Sequence, residues 1–155
     1  MGRALLPESL KRPLRRRIQQ GLPMPPDLDF GLVEENGSFL ARLPGGIEVS
    51  IPPKIIPEFR SNFENDWDEM KSFLEVAEEA DVFFDVGADK GVMAATFAAL
   101  GKNKRVLAYE PSSTGSQQML ELLEQNGLQG KVEVVPKVVG EQSGQVAFSQ
   151  EDCGY

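Results

Sequence analysis

The stretch from Asp81 to Pro111 constrains this chain more than any other. It reads Asp-Val-Phe-Phe-Asp-Val-Gly-Ala-Asp-Lys-Gly, then an apolar helical segment, then Arg-Val-Leu-Ala-Tyr-Glu-Pro. Val82 to Val86 predicts a buried strand that runs into a glycine-bearing turn at Gly87 to Gly91. Val92 to Leu100 predicts a helix, with Gly101 where a left-handed C-cap belongs. Val106 to Tyr109 predicts a second strand, which ends in the acid Glu110. Strand, glycine turn, helix, strand and acid, in that order, form the first half of a nucleotide-binding α/β sheet.

The flanking segments read differently. Residues 1–29 are arginine-rich and then proline-rich (Gly21-Leu22-Pro23-Met24-Pro25-Pro26), so an irregular basic arm is expected. Residues 30–60 predict a small β appendage. Phe39 to Leu43 and Ile47 to Ile51 flank the hairpin signal Pro44-Gly45-Gly46, and Gly31-Leu32-Val33 pairs across a turn at Glu35-Asn36-Gly37. This unit is expected to cover one end of a ligand site. Residues 61–155 then predict the ligand-binding α/β domain. Ser61 and Glu64 match a capping box, followed by Phe63, Trp67, Met70, Leu74 and Ala77 at helical spacing. Trp67 reads as a core anchor. The acids on the opposite face, Glu64, Asp68, Glu75, Glu78 and Glu79, read as a solvated face rather than a metal cluster.

Beyond the second strand, Thr114 and Gln117 match another capping box. Met119, Leu120 and Leu123 supply an apolar stripe, and Asn126-Gly127 stops the helix. Lys131 to Val135 predicts a third strand, extended by Val138-Val139. Gln145 to Ser149 predicts a fourth, antiparallel one. No internal repeat interrupts this order.

Charge and composition narrow the function classes. The formal net charge of −8 is unevenly spread: residues 1–20 hold six basic residues against Glu8, a local +5, which leaves −13 on the remainder. That balance argues against a general nucleic-acid surface. The chain has no histidine, which excludes imidazole bases and histidine-bearing zinc sites. Cys153 is its one cysteine, so no internal disulfide forms, and the lone thiol suits a reducing compartment. The expected location is cytoplasmic, with organelle targeting by the arginine-rich arm as the alternative. Met1-Gly2 does not make a myristoylation signal, because Leu6 stands where serine or threonine is required. No run of about 18 apolar residues exists, so no membrane span is expected.

The glycine spacing separates cofactors. A dinucleotide fingerprint spaces its outer glycines by five, whereas Gly87 and Gly91 are four apart, which disfavours NAD. The spacing suits Asp-x-Gly-x-Gly-x-Gly, the first motif of class I S-adenosylmethionine-dependent methyltransferases. Asp85, Gly87 and Gly91 match it, with Asp89 in place of the middle glycine. Phe84-Asp85-Val86-Gly87-Ala88-Asp89-Lys90-Gly91, Tyr109-Glu110-Pro111 and Val138-Val139-Gly140 ahead of Gly144-Gln145-Val146-Ala147-Phe148 together resemble the FkbM family. That family's usual turn carries asparagine where this chain has Asp89. The resemblance covers roughly Trp67 to Phe148.

The resemblance implies a Rossmann-like class I methyltransferase sheet and S-adenosyl-L-methionine as cofactor. It places the backbone of Gly87, Ala88, Asp89 and Gly91 along the methionine portion, with Asp85 orienting that portion. Glu110 accepts from both ribose hydroxyls, and Pro111 and Ser112 border the adenine. The expected reaction is methylation of an oxygen on a small molecule or sugar. Acceptor-side residues of this fold come from the fourth strand onward, so no catalytic residue is assigned. The sheet is expected to be truncated after its third parallel strand. A truncated, non-catalytic ligand- or partner-binding module is the alternative, with a nicotinamide-dependent oxidoreductase behind it.

Overall fold

The computed structural model describes residues 31–35, 38–43, 45–62 and 67–145. It contains two three-stranded sheets with helices between them. The first sheet is antiparallel and comprises β1 (Gly31–Glu35), β2 (Ser38–Leu43) and β3 (Ile47–Ile51), in that order. Gly31 stands opposite Arg42, and Leu43 opposite Ile47. The β2–β3 turn needs glycine, since Gly45 and Gly46 both take left-handed φ values, 84° and 72°. A 3-10 turn (Pro53–Ile55) and a short helix, α1 (Ile56–Arg60), follow.

The second sheet is parallel. Its strands are β4 (Val82–Val86), β5 (Arg105–Tyr109) and β6 (Val132–Val135), in the order β4-β5-β6. Helix α2 (Trp67–Glu79) precedes β4, α3 (Val92–Ala99) joins β4 to β5, and α4 (Ser113–Gln125) joins β5 to β6. The register sets Asp85 beside Ala108 and Val86 beside Tyr109, so the two strands end together at the glycine turn and Glu110.

Helix α3, Val-Met-Ala-Ala-Thr-Phe-Ala-Ala, is apolar around nearly its whole circumference, the mark of a helix buried on every side. Its position accounts for this: it packs on β3 of the antiparallel sheet and on all three strands of the parallel one. Ala41, Leu43, Val49 and Ile51 thereby join Phe97, Val106, Met119 and Leu122 in one continuous core. Phe83 of β4 sits between Phe73 of α2 and Phe97 of α3, with ring centroids 5.2 and 5.3 Å away. Asn126 fastens the antiparallel sheet to the end of α4: it accepts from the Ser50 N–H at 2.7 Å and donates to the Ser50 carbonyl at 2.8 Å.

Several sequence expectations require correction. Ser61 is not an N-cap. It has helical dihedrals, and its N–H donates to Glu58 and Pro57 carbonyls, so it closes α1. Helix α4 is capped by Ser112 rather than Thr114, and Ser112 Oγ accepts from the Gly115 N–H at 3.2 Å. Leu120 is half-exposed and Leu122 takes its expected place in the core. Gly101 has no left-handed φ. The carbonyls of Ala98 and Gly101 instead accept from Lys131 Nζ, at 2.8 and 3.0 Å, which removes the need for a glycine cap. Asn126-Gly127 does stop α4: Gly127 has φ 64°, and the Leu128 and Gly127 N–H groups donate to the carbonyls of Leu123 and Glu124.

Strand β4 is buried on one face only. Phe84 and Val86 are 61% and 60% exposed, because no described element packs on their side of the sheet. Strand β6 ends at Val135, and Val138 and Val139 are exposed and irregular. Its partner strand ends at Tyr109, and Pro136 has no N–H to continue the ladder. Gln145 is irregular, and the remainder of the expected fourth strand lies outside the described residues. So do the basic arm, Phe63, Glu64, Cys153 and the Trp67 side chain. No helix among the described residues is long and apolar enough to cross a membrane.

Candidate functional site

The two turns at the carboxyl ends of β4 and β5 are built around each other. Gly87 and Ala88 both donate their N–H to the Tyr109 carbonyl, at 2.9 and 3.0 Å, and the Gly91 N–H donates to Ala88 at 2.8 Å. Three residues of the turn take left-handed φ: Gly87 at 80°, Asp89 at 46° and Gly91 at 81°. At Gly87 the backbone angle alone demands glycine, since a Cβ there would meet only open space. Gly91 is doubly constrained, because a Cβ would stand 2.3 Å from Met119 Cγ. The open side at Gly87 is where a ligand can lie directly against backbone.

Glu110 clasps both turns. It is buried, with Oε2 accepting from the Asp89 N–H at 2.8 Å and Oε1 from the Ser112 N–H at 2.7 Å. Its own carbonyl accepts from Ser116 Oγ at 2.9 Å, and its N–H donates to Val135 at 3.1 Å. Gly115 faces this clasp so closely that a Cβ would stand 3.1 Å from the Asp89 carbonyl oxygen and 3.2 Å from Glu110 Cγ. Sequence reasoning missed Gly115, although a glycine in the first turn of a helix already signals a close approach.

Asp85 is the unsatisfied member of the site. It is only 9% exposed, and its Oδ2 is buried without a hydrogen-bond partner. Burial pushes its carboxyl up to about 6; a hydrogen bond from the Ala94 N–H in the first turn of α3 acts in the opposite sense, and the charge of Glu110 adds to the rise. Asp89 is also raised, first by desolvation. Lys90 works against that shift, while Glu110 and Glu58 add to it. At both aspartates burial is the larger cause and the neighbouring acids add to it.

Of the residues expected to bind a cofactor, all eight lie at the carboxyl ends of β4 and β5. Asp85 is in β4, Gly87, Ala88, Asp89 and Gly91 are in the turn after it, and Glu110, Pro111 and Ser112 follow β5. Ser112 is occupied as the N-cap of α4. A further connection comes from outside both turns: Lys90 Nζ forms an ion pair with Glu58 Oε1 of α1, and Glu58 Oε2 is buried without a partner. No local motif signals this pair, because its members are 32 residues apart.

No protein-family model and no curated protein matches the chain. Among solved structures, it is similar to a protein from Pyrococcus horikoshii assigned as a transferase, with 16% identity over 67% of this chain and 37% of that one, at a TM-score of 0.45. It is also similar to an S-adenosylmethionine-dependent O-methyltransferase from Thermotoga maritima, with 24% identity over 63% of this chain and 40% of that one, at 0.42. A third is fibrillarin from Aeropyrum pernix with natively bound S-adenosyl-L-methionine, with 13% identity over 70% of this chain and 58% of that one, at 0.40. The chain thus spans between about a third and three-fifths of the length of these structures. The fold assignment rests on the strand order and register given above.

Proposed function

We propose that the chain binds S-adenosyl-L-methionine at the paired turns and acts as a methyltransferase of FkbM type, on an oxygen of a small molecule or sugar. One observation carries the reading: Asp85 Oδ2 is buried and unpartnered at the carboxyl end of β4, beside a glycine corner whose backbone is open. A buried carboxylate oxygen without a donor is costly unless a ligand supplies one. The cofactor carries an ammonium and a sulfonium, which suit a site where two aspartates are held above their ordinary range.

The chain's residues divide the binding task. The backbone from Gly87 to Gly91 would lie along the methionine portion, and Asp85 would orient its ammonium. Each Glu110 oxygen holds one backbone N–H and keeps a second lone pair, so the carboxylate can still accept from ribose hydroxyls. Pro111 and Ser112 would border the adenine. Asp89 replaces the asparagine usual in the family, yet both residues tolerate the left-handed φ this position adopts. When bound, the cofactor supplies an already activated methyl group, so the protein's part is alignment of the acceptor.

The test is a thermal unfolding scan with S-adenosylhomocysteine and, separately, with NAD. At about 100 times its dissociation constant, a bound ligand stabilises the fold by roughly 2.7 kcal/mol. A transition raised by S-adenosylhomocysteine and not by NAD is the expected result. A cooperative transition that neither ligand moves overturns the reading.

A further inference from the structure

We propose that Glu58 is a positioning residue for the glycine turn, acting through Lys90. This inference rests on the S-adenosylmethionine reading and adds to it a residue from α1, outside both turns. Lys90 stands between two residues with left-handed φ, Asp89 at 46° and Gly91 at 81°. Asp89 is the one non-glycine residue with positive φ among the described residues. Aspartate tolerates that conformation, which persists where the surroundings hold it. Two carboxylates from different parts of the chain do so: Glu110 Oε2 accepts from the Asp89 N–H at 2.8 Å, and Glu58 Oε1 accepts from Lys90 Nζ, one residue further on.

Glu58 sits on a firm base. Ile55 and Phe59 beside it are 1% and 0% exposed, and Asn62 Nδ2 donates to the Glu58 carbonyl at 2.8 Å. The side chains of Lys90 and Glu58 are 25% and 23% exposed, so their ion pair is partly shielded from water. As a stabiliser the pair is poor. Glu58 Oε2 is buried without a partner, which costs desolvation that no hydrogen bond returns. Glu58 also pushes the Asp89 carboxyl up, against the action of Lys90. Partly buried ion pairs of this kind seldom improve on apolar packing of the same volume, and their better-attested use is to fix one arrangement among several. The arrangement fixed is that of Lys90. Without Glu58 its ammonium is free to turn to the Asp89 carboxylate beside it, and the left-handed turn loses its hold from the α1 side.

The test is a double-mutant cycle on the full chain, read by titration calorimetry with S-adenosylhomocysteine at a temperature where every variant is folded. Glu58→Gln and Lys90→Met should each weaken binding about tenfold, and the double variant no more than either alone, because both act through one contact. Lys90→Arg keeps the ion pair and should stay within about twofold of the parent. Unchanged affinity in both single variants would refute the positioning role, whatever their stability in urea, and leave the pair as a pin between α1 and the turn. Losses that multiply to about a hundredfold in the double variant would also refute it, since each residue then acts on the ligand separately. In both of those cases the cofactor reading stands. A parent chain that does not bind S-adenosylhomocysteine overturns the cofactor reading and the positioning role together. If Glu58→Gln shows no cooperative unfolding transition, Glu58→Asp, which keeps the charge and shortens the reach, takes its place in the cycle and is judged by the same outcomes.

Discussion

The two ends of the parallel sheet both bury charge, and they treat it in opposite ways. At the amino ends of β5 and β6 stand Lys104 and Lys131. Lys104 Nζ donates to the carbonyls of Ala77, Glu78 and Ala80 and lies 5.2 Å from the Phe97 ring centroid. Lys131 Nζ donates to Ala98 and Gly101. Each ammonium closes the carboxyl end of a helix, α2 or α3, where unpaired carbonyls and the helix dipole favour a cation. At the carboxyl ends of β4 and β5 stand Asp85 and Glu110. Glu110 is satisfied by two backbone donors, but Asp85 keeps a buried oxygen without one. The two lysines are completed by helix-end carbonyls and Glu110 by backbone N–H groups. Asp85, left incomplete beside left-handed backbone, is the group on which the proposed ligand site rests.

The largest effect should come from the completed end. Lys104→Met keeps the apolar stem but strands three carbonyls, and should lower stability by about 4 kcal/mol in urea unfolding. The affinity for S-adenosylhomocysteine should not change; a matching loss would break the division between the two ends. Gly91→Ala comes next. It imposes a left-handed φ on alanine and drives a methyl into Met119, at a cost of about 3 kcal/mol by the same measurement.

Asp85→Asn should separate stability from binding. Affinity for S-adenosylhomocysteine should weaken by about 2 kcal/mol in calorimetry, while stability at pH 7 should rise or hold. The pH dependence has a definite sign. The Asp85 carboxyl stands at about 6 in the folded chain against 3.8 in the reference state, so the folded chain binds the extra proton between those values. Its charge therefore destabilises the fold above pH 6, and that burden is gone below about pH 4. Ligand affinity should run the other way, falling as pH drops through 6, because an ammonium needs the ionised carboxylate. Asp85→Asn should abolish this component of both trends. The smallest effect belongs to Lys131→Gln. It should cost about 1 kcal/mol, since the side chain is only partly buried and the amide can still donate to one carbonyl.

Much of the candidate site's geometry was legible because it is local. Gly87 and Gly91 announce left-handed backbone, and Asp85 and Glu110 announce themselves as acids ending consecutive apolar strands. The helix ends were less legible. Thr114-x-x-Gln117 is a sound capping box, yet Glu110 draws the Ser112 N–H to its own carboxylate and starts the helix earlier. Gly101 looks like a C-cap, but a lysine 30 residues away already serves its carbonyl. Glu58 gave no signal in its own neighbourhood, because its partner Lys90 is brought to it only by the packing of α1 against the glycine turn.

The sequence by itself determined the order β4-α3-β5-α4-β6, the β2–β3 hairpin, the glycine corner and the identity of the two strand-end acids, but not the 3-10 turn and α1 at 53–60, which it reads as part of a β appendage. What it determined depends on periodicity, on the backbone freedom of glycine and on where apolar runs stop, all of which act over a few residues. Only the tertiary structure decided that α3 lies between two sheets, that Glu110 joins the two turns, and that one oxygen of Asp85 and one of Glu58 remain without donors. Each of these depends on which distant backbone N–H or ammonium reaches a given carboxylate once the layers have packed, and no local pattern encodes that competition for partners.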